Sequence, residues 1–332
     1  MKIGLTYDLR SEYLAMGYGE EETAEFDRED TITTLEETIR SLGYQTQRIG
    51  SVKNLIHLLS TGNSWDLVFN ICEGIHGSAR ESQVPAILDA YKIPYTFSDP
   101  MVLAIALDKY ACKSYLERFG ISTPGFALLH SENQINYLNL RFPLFLKPVA
   151  EGTGKGIYAN SKVENRAQLL YQFKFLQKQF KQPILVEEYL PGREFTVAIL
   201  GNGRKAKVLG TMEIIFKSSR HNSIYGYETK ENCETEIIYQ PCRDALAKQA
   251  EKIAIKAYRT LGCKDVGRVD IRTDAAGKPE FIEINPIPGL HPHHSDLSMI
   301  ATQEGISYRE LIHRIISSAI GRYKHLNVAR VA

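Results

Sequence analysis

Strand-like and helix-like segments alternate along residues 1–99, and this alternation limits the folds open to the chain more than any other feature. Lys2–Tyr7 is predicted to be a strand and Thr31–Leu42 a helix with apolar residues at helical spacing. Asp66–Ile71 is predicted to be a short apolar strand and Ser82–Tyr91 a second helix. Because such alternation is typical of a parallel sheet with crossover helices, the sequence predicts an α/β fold.

The rest of the chain predicts further helices and strands in a mixed α+β arrangement. Helices are predicted over Val102–Phe119, Glu164–Phe180, Arg243–Leu261 and Ser307–Ala319. Strands are predicted over Phe142–Pro148, Ile184–Tyr189, Glu194–Leu200, Gly267–Arg272 and Pro279–Asn285. The polar segment Lys217–Asn232 follows no period, which indicates a surface loop or, on a more specific interpretation, a lid over a site.

The length of 332 residues predicts more than one hydrophobic core. We expect three domains: a parallel α/β domain over residues 1–99, a central subdomain over residues 100–183 and a C-terminal subdomain over residues 184–332. The last of these contains the candidate metal site described below.

Composition excludes several classes of function. The net charge is +1, so the overall balance indicates neither a nucleic-acid partner nor a membrane surface. No apolar run approaches the ~20 residues that span a bilayer, and the N-terminus resembles a strand rather than a signal peptide. The five cysteines show no C-x-x-C spacing, which favours a reducing cytoplasm over a disulfide framework.

The strongest chemical pattern lies on the two strands near the C-terminus. Glu283 and Asn285 point to one face of their strand because side chains alternate with a period of two, and Asp270 lies on the partner strand. Two carboxylates and an amide oxygen on one sheet face are ligands suited to Mg²⁺. The alternative is that these carboxylates are simply solvated, but Asp270 lies among apolar strand residues and a rigid Pro-Ile-Pro-Gly turn follows Asn285.

Two further patterns indicate a phosphate and nucleotide site. Strand residue Lys147 leads into the loop Glu151–Gly156, whose three glycines and Lys155 could surround phosphates with backbone N–H groups and positive charge. The loop matches neither the P-loop nor the dinucleotide-binding fingerprint. Glu187 and Glu194 flank a Pro-Gly turn, where they could bind ribose hydroxyls, although exposed carboxylates at turns are more often only solvated.

In their order along nearly the whole chain, these segments resemble the D-alanine:D-alanine ligase branch of the ATP-grasp superfamily. The matching segments are FNICEGIHG with Gln83 after it, IPYTFSDP, ALDKYACK, FPLFLKP with EGTGKG, ILVEEYLPGREFTVAIL, YGYETK, GCKDVGRVD and EINPIPG. The resemblance implies an ATP-grasp fold of three α/β or α+β domains, with ATP bound between the central and C-terminal ones.

The resemblance also implies a role for individual residues. ATP would be bound by Lys109, Lys147, Glu151, Gly152, Thr153, Gly154, Lys155, Gly156, Glu187, Glu188, Leu190 and Glu194. Two Mg²⁺ ions, which Mn²⁺ could replace, would be held by Asp270, Glu283 and Asn285. The catalytic residues would be Arg268 at the tetrahedral intermediate, Lys230 at the transferred phosphate, and Thr153, at the first serine of the family's E-G-S-S. Such a site suits phosphoryl transfer, which needs positioning and charge neutralisation more than covalent chemistry.

The chain departs from the family in the residues that would contact the substrates. Glu25 or Asp27, in the segment AEFDRED, is the counterpart of the glutamate that receives the first D-alanine's ammonium. Glu73 stands where the family has histidine, Glu231 where it has tyrosine, and His294 where it has the serine that receives a carboxylate. The nucleotide half is retained and the substrate half is rewritten.

Three functions follow as hypotheses. The first is an ATP-dependent ligase that activates a carboxylate or enol oxygen as a phosphate and couples it to an amino-acid amine. Its substrate would be other than D-alanine, with a mycosporine-type ring as one candidate acceptor. The second is a true D-alanine:D-alanine ligase of peptidoglycan synthesis, and the third a non-catalytic nucleotide-binding protein. The partners expected are small molecules; homodimers are common in the family, but no sequence feature independently indicates one.

Overall fold

The computed structural model describes residues 1–217 and 237–323, which form three β-sheets with helices packed against them. The strands of these residues are β1 (Lys2–Tyr7), β2 (Gln45–Gly50), β3 (Leu67–Ile71), β4 (Phe126–Leu129), β5 (Leu144–Pro148), β6 (Lys162–Val163), β7 (Ile184–Glu188), β8 (Glu194–Leu200), β9 (Lys207–Phe216), β10 (Ile237–Pro241), β11 (Val266–Thr273) and β12 (Pro279–Asn285). Their α-helices are α1 (Arg10–Ala15), α2 (Glu29–Ser41), α3 (Val52–Ser60), α4 (Gln83–Ala90), α5 (Pro100–Leu107), α6 (Lys109–Glu117), α7 (Arg166–Phe180), α8 (Ala245–Leu261), α9 (Asp296–Gln303) and α10 (Tyr308–Arg322). The mixed α/β architecture confirms the predicted fold class.

The first sheet is parallel, as the alternation of strands and helices predicts. Its strand order is β2-β1-β3, and both β2 and β3 pair with β1 in parallel. The central strand is buried, with Ile3 and Leu5 in one core together with Phe69 of β3 and Leu35 of α2. Both faces of a parallel sheet are usually covered by helices, which explains why β1 and β3 consist mostly of apolar residues.

Two antiparallel sheets follow, with orders β4-β7-β5-β6 and β10-β9-β8-β11-β12. Strand β7 pairs with both β4 and β5, so it belongs to the central sheet. The boundary predicted between residues 183 and 184 therefore separates β7 from the strands with which it pairs. The boundary predicted between residues 99 and 100 stays a prediction.

The long helix predicted over Val102–Phe119 is wrong, because the chain forms two helices that meet at Asp108. Asp108 has an extended backbone (φ −80°, ψ 97°), and its carboxylate accepts a hydrogen bond of 2.9 Å from the backbone N–H of Ala111. It thus caps α6 in the manner typical of aspartate, which competes with helical hydrogen bonding. The break places Lys109 at the first position of α6, facing the cleft described below.

Several shorter elements escape the sequence analysis, among them α1, β2, β4 and β10. Strand β2 is a polar edge strand (QTQRIG) without the apolar alternation that would reveal it. The predicted lid lies outside the described residues apart from Lys217. In the part of the chain that the structure describes, no helix is long and apolar enough to cross a bilayer.

The C-terminal helix α10 joins the first sheet to the third. Buried Asp265, just before β11, forms an ion pair of 2.6 Å with Arg322 of α10 and accepts a hydrogen bond from the backbone N–H of Phe97. Arg322 also donates to the carbonyl oxygens of Tyr95 and Phe97. These contacts hold the N-terminal sheet against the sheet that carries the candidate metal ligands.

Candidate active site

A cleft lies between the two antiparallel sheets and is lined by residues of both. Its apolar wall is formed by Phe145, Ile157, Leu190 and Ile282. Its polar residues are Lys109, Lys147, Glu151, Gly152, Gly154, Lys155, Glu187, Glu188, Glu194, Asp270, Arg272 and Glu283. The structure therefore brings together, in one cleft, most of the residues predicted to bind nucleotide and two of the three predicted to bind metal.

Glu187 lies at the base of the cleft between two buried lysines. Its two carboxylate oxygens lie 2.6 Å from Lys113 Nζ and 2.8 Å from Lys147 Nζ. Burial alone would raise the pKa of Glu187, but the two ammonium groups lower it to about 2. Lys113 was missed by the sequence analysis, although it stands four residues after Lys109 in ALDKYACK, one turn further along the same face of α6.

Replacing Glu187 by glutamine should destabilise the fold, because it leaves two buried ammonium groups without a counter-charge. Loss of one partner of a buried ion pair typically costs about 3–5 kcal/mol of unfolding free energy. Urea denaturation of the variant measures this cost. The matched control is Glu188→Gln, whose partner Arg141 is 88% exposed and whose loss should have little effect. Equal destabilisation by both substitutions would contradict the assignment.

Lys109 connects the glycine-rich loop to the candidate metal ligands. Its ammonium group donates a hydrogen bond to the carbonyl oxygen of Glu151 and lies 3.5 Å from the carboxylate of Glu283. The helix break at Asp108 is what directs this side chain into the cleft. A cation in this position would face the phosphates of a nucleotide bound beneath the loop.

The glycine-rich loop adopts a backbone that side chains would disturb. Gly154 and Gly156 have φ values of 77° and 73°, in the region that favours glycine. A Cβ atom on Gly156 would lie 2.4 Å from the Pro148 side chain, and one on Gly152 would lie 2.3 Å from Glu25 Oε1. Thr153 also has a positive φ, of 51°. The loop is thus held close both to the central sheet and to the N-terminal residues.

The chain between β7 and β8 forms part of the cleft wall. Leu190 is buried there, and Tyr189 lies between the Lys162 ammonium group at 4.8 Å and the Arg272 guanidinium at 5.3 Å from its ring centroid. Glu194 lies 3.3 Å from Arg272. An apolar slot beside carboxylates can accept a flat base and bind the hydroxyls of a sugar.

The candidate metal ligands lie on paired strands in the register that the sequence analysis required. Asp270 lies opposite Glu283, and Arg268 lies opposite Asn285. Asp270 accepts hydrogen bonds from Thr196 Oγ1 at 2.7 Å and from Arg268 at 3.0 Å. Burial and the neighbouring carboxylates of Glu283 and Asp296 raise the pKa of Asp270 to about 6, although Arg268 lowers it.

This donor set fits a divalent cation. Two carboxylates and an amide oxygen are hard ligands. The carboxylates of Glu283 and Asp296 repel that of Asp270, and a bound cation would offset this repulsion. Among the described residues, the Nδ2 atom of Asn285 has no hydrogen-bond partner, so the orientation of its amide is not fixed by the protein. Arg268 is positioned by ion pairs to Asp270 and to Asp296 of α9, the latter a residue that the sequence analysis missed.

A second cavity adjoins the cleft and contains four of the residues singled out as candidate substrate contacts or catalytic groups. It is lined by Glu25, Glu73, Glu81, Ala106, Leu107, Lys109, Glu151, Gly152, Thr153, Arg268, Glu283, Ile284, Asn285, Pro286, Ile287, Pro288 and Gly289. Because it shares Lys109, Glu151, Gly152 and Glu283 with the cleft, a molecule bound here would lie beside the phosphate end of a bound nucleotide. We call it the substrate cavity.

His294, predicted to receive a carboxylate, does not line the substrate cavity. It is exposed, and its ring lies 4.6 Å from that of His291, which in turn lies 3.5 Å from Asp30. The turn after β12 places His294 away from the two strands. Matching this one residue to the family's serine in the sequence could not predict its position in space. Lys230 and Glu231 lie outside the described residues.

Two antiparallel sheets that enclose a cleft, with a glycine-rich loop, buried lysines and a carboxylate pair at its walls, define the class of protein as an ATP-grasp ligase. Residues 115–317 match the family model described as D-ala D-ala ligase C-terminus. The chain therefore belongs to the D-alanine:D-alanine ligase family of enzymes, which form carbon–nitrogen bonds. This confirms the resemblance found in the sequence.

Relatives of known sequence extend the match. The chain is 34% identical to the uncharacterized protein y4sG of Sinorhizobium fredii over 77% of this chain and 75% of that protein. It is 32% identical to a D-alanine–D-alanine ligase of Bordetella petrii over 79% and 81% of the two chains. The D-alanine–D-alanine ligase of Bacillus anthracis, solved in complex with ATP, shares the fold with a TM-score of 0.72 and 22% identity over 98% and 99% of the two chains.

Proposed function

We propose that this chain is an ATP-dependent ligase that joins two amino acids, D-alanine among them, through an acyl phosphate. The carboxylate oxygen of the first amino acid would attack the terminal phosphorus of ATP and release ADP. The amine of the second would then attack the acyl carbon, and phosphate would leave as the amide forms and the amine loses a proton to solvent. The observation that carries the proposal is the substrate cavity, which shares Lys109, Glu151, Gly152 and Glu283 with the cleft.

The residues of the cleft would act by positioning and charge. The glycine-rich loop and the ammonium groups of Lys109 and Lys147 would bind the nucleotide phosphates, while Glu188, Leu190 and Glu194 would contact the nucleoside. Arg268, whose guanidinium lines the substrate cavity, would stabilise negative charge that develops on the acyl oxygen. Glu187 would keep Lys147 oriented.

Asp270, Glu283 and Asn285 would hold Mg²⁺. When bound there, the cation neutralises charge on the transferred phosphoryl group. The strand register keeps both carboxylates and the amide on one face before any ligand arrives, so little reorganisation is needed.

The names of the relatives favour D-alanine as a substrate, which is the second of the three hypotheses drawn from the sequence. The first hypothesis, an acceptor other than D-alanine, is supported by the carboxylates of Glu73 and Glu81 in the substrate cavity and by the position of His294 outside it. Nothing in the cavity favours a mycosporine-type ring in particular.

Phosphate release from ATP tests the proposal and separates the two hypotheses. The purified chain with Mg²⁺ is supplied with D-alanine alone and then with both enantiomers of other amino acids, singly and in pairs, and products are identified by mass spectrometry. We expect phosphate release and a dipeptide with D-alanine alone. Turnover only with other amino acids would support the first hypothesis, and no turnover with any amino acid would contradict the proposed function.

A further inference from the structure

Three acidic residues of the N-terminal part of the chain, Glu25, Glu73 and Glu81, line the substrate cavity. The three carboxylates differ in whether the protein already supplies them with positively charged partners. Glu25 is bound by the guanidinium of Arg80, which donates hydrogen bonds of 3.0 and 3.1 Å to its two oxygens. The ammonium group of Lys155 lies 2.6 Å from one of these oxygens. The charge of Glu25 is therefore neutralised by the protein itself.

Glu81 and Glu73 have no such partners. Neither carboxylate makes a hydrogen bond or an ion pair with any other residue in the described ranges 1–217 and 237–323. Glu81 is nonetheless only 9% exposed. Burying a carboxylate without a partner is costly, and buried polar groups in folded proteins are almost always paired. Such a group facing a cavity indicates a partner other than the residues that the structure describes.

The nearby cations are already engaged elsewhere. Arg80 is held by Glu25 and donates a hydrogen bond of 2.7 Å to the carbonyl oxygen of Ala150. Lys155 lies between Glu25 and Glu151, at 2.6 Å from each. The ammonium group of Lys109, which also lines the cavity, donates a hydrogen bond to the carbonyl oxygen of Glu151 and lies 3.5 Å from Glu283. Because these cations of the described residues are engaged, a ligand that binds Glu73 and Glu81 would supply a positive charge of its own.

We propose that Glu73 and Glu81 together bind the ammonium group of the amino acid whose carboxylate is phosphorylated, and that Glu25 instead anchors the glycine-rich loop. The inference rests on the proposed function and names the substrate contacts of the same site. The amino acid would lie with its ammonium group beside Glu73 and Glu81 and its carboxylate toward the guanidinium of Arg268, which lines the same cavity.

The chemistry of coupling decides which amino acid is bound this way. The attacking amine must lose its proton before it can act as a nucleophile, and two carboxylates beside it would stabilise the protonated, unreactive form. The ammonium of the activated amino acid takes no part in bond formation and can stay protonated throughout. The carboxylate pair therefore suits the activated amino acid and opposes the attacking one.

The electrostatics agree with this assignment. Burial raises the pKa of Glu81 to about 7, and burial with the nearby Glu81 and Glu25 raises the pKa of Glu73. An ammonium group between the two carboxylates would offset this repulsion and favour their ionised forms.

The test uses Glu81→Gln and Glu73→Gln, with Glu22→Gln as a control whose carboxylate is exposed and does not line the substrate cavity. ADP release is measured with D-alanine and the other amino acids that the wild type accepts, and with propanoate, which lacks the amine. Hydroxylamine is added to every reaction, so that the acyl phosphate always meets an amine that can displace phosphate. We expect each cavity variant to raise the KM for the amino acid about ten- to hundred-fold, with the KM for ATP unchanged. The preference of the wild type for alanine over propanoate should shrink by a similar factor.

Stability provides a second measurement. Each cavity variant removes an unpaired buried carboxylate, so the Tm of the free protein should equal or exceed that of the wild type. A cavity variant with a lower Tm, or one that keeps the wild-type KM and the wild-type preference for alanine, would overturn the inference. The proposed function would still stand in that case, provided that the wild type releases phosphate. Loss of the preference in Glu25→Gln but not in Glu81→Gln would also overturn it. If the wild type releases no phosphate with any amino acid, the proposed function fails as well.

Discussion

Replacing Glu283 by glutamine is expected to reduce phosphate release by more than about 100-fold at saturating substrates, while the fold stays intact. Residues that only support metal ligands typically cost about 10- to 100-fold when they are replaced, so loss of a ligand should cost more. Glutamine keeps the size of the side chain but removes the charge that Mg²⁺ requires. The reaction rate and the Mg²⁺-dependent thermal stabilisation by a non-hydrolysable ATP analogue measure the effect.

Glu280→Gln is the matched control for this substitution. Glu280 lies on the same strand, forms an ion pair of 2.9 Å with Lys278, and lines neither the cleft nor the substrate cavity. It should leave both measurements close to those of the wild type. If Glu283→Gln also retains a near wild-type rate and the Mg²⁺-dependent stabilisation, Glu283 is not a metal ligand.

Replacing Arg268 by lysine is expected to lower kcat by about 100- to 1000-fold, which is the cost of losing a preorganised donor to a developing oxyanion. The charge is kept, but lysine cannot reproduce the planar guanidinium that Asp270 and Asp296 hold from two sides. Because the contact is made in the transition state, the KM for ATP should change little. Steady-state kinetics with the best amino-acid substrate measures both constants.

Two further variants make the result specific. Arg193 also forms ion pairs with two carboxylates, those of Glu213 and Asp244, but lies outside the cleft and the substrate cavity, so Arg193→Lys should retain its kcat. Asp296→Asn should lower kcat less than Arg268→Lys does, since it only loosens the guanidinium. A kcat for Arg268→Lys equal to that of Arg193→Lys would exclude Arg268 from the reaction.

The sequence alone predicts those parts of the site that depend on local periodicity. The alternation of side chains along β12 placed Glu283 and Asn285 on one face, and the pairing of β11 with β12 placed Asp270 opposite Glu283. The alternation of strands and helices over residues 1–99 indicated a parallel sheet, which the structure contains. Periodic patterns of this kind arise from residues close together in the chain, so they can be recognised in one sequence without knowledge of the tertiary structure.

The break between α5 and α6 shows where local patterns mislead. The apolar spacing of Val102–Phe119 continues through Asp108, so periodicity predicts one helix. A side-chain cap at Asp108 interrupts the backbone hydrogen bonds without changing the spacing. Periodicity reports which faces are apolar, but it does not report where a polar side chain competes with the backbone.

The assignment of partners among charged residues was decided by the tertiary structure. Glu187 lies between Lys113 and Lys147, and Glu25 between Arg80 and Lys155, because separate segments of the chain meet at the cleft. A carboxylate's partners depend on distance in space, and residues 55 or 130 positions apart carry no periodic signal of one another. The sequence indicated the parallel sheet, the candidate metal-binding face and the family, whereas packing determined which buried carboxylates the protein neutralises.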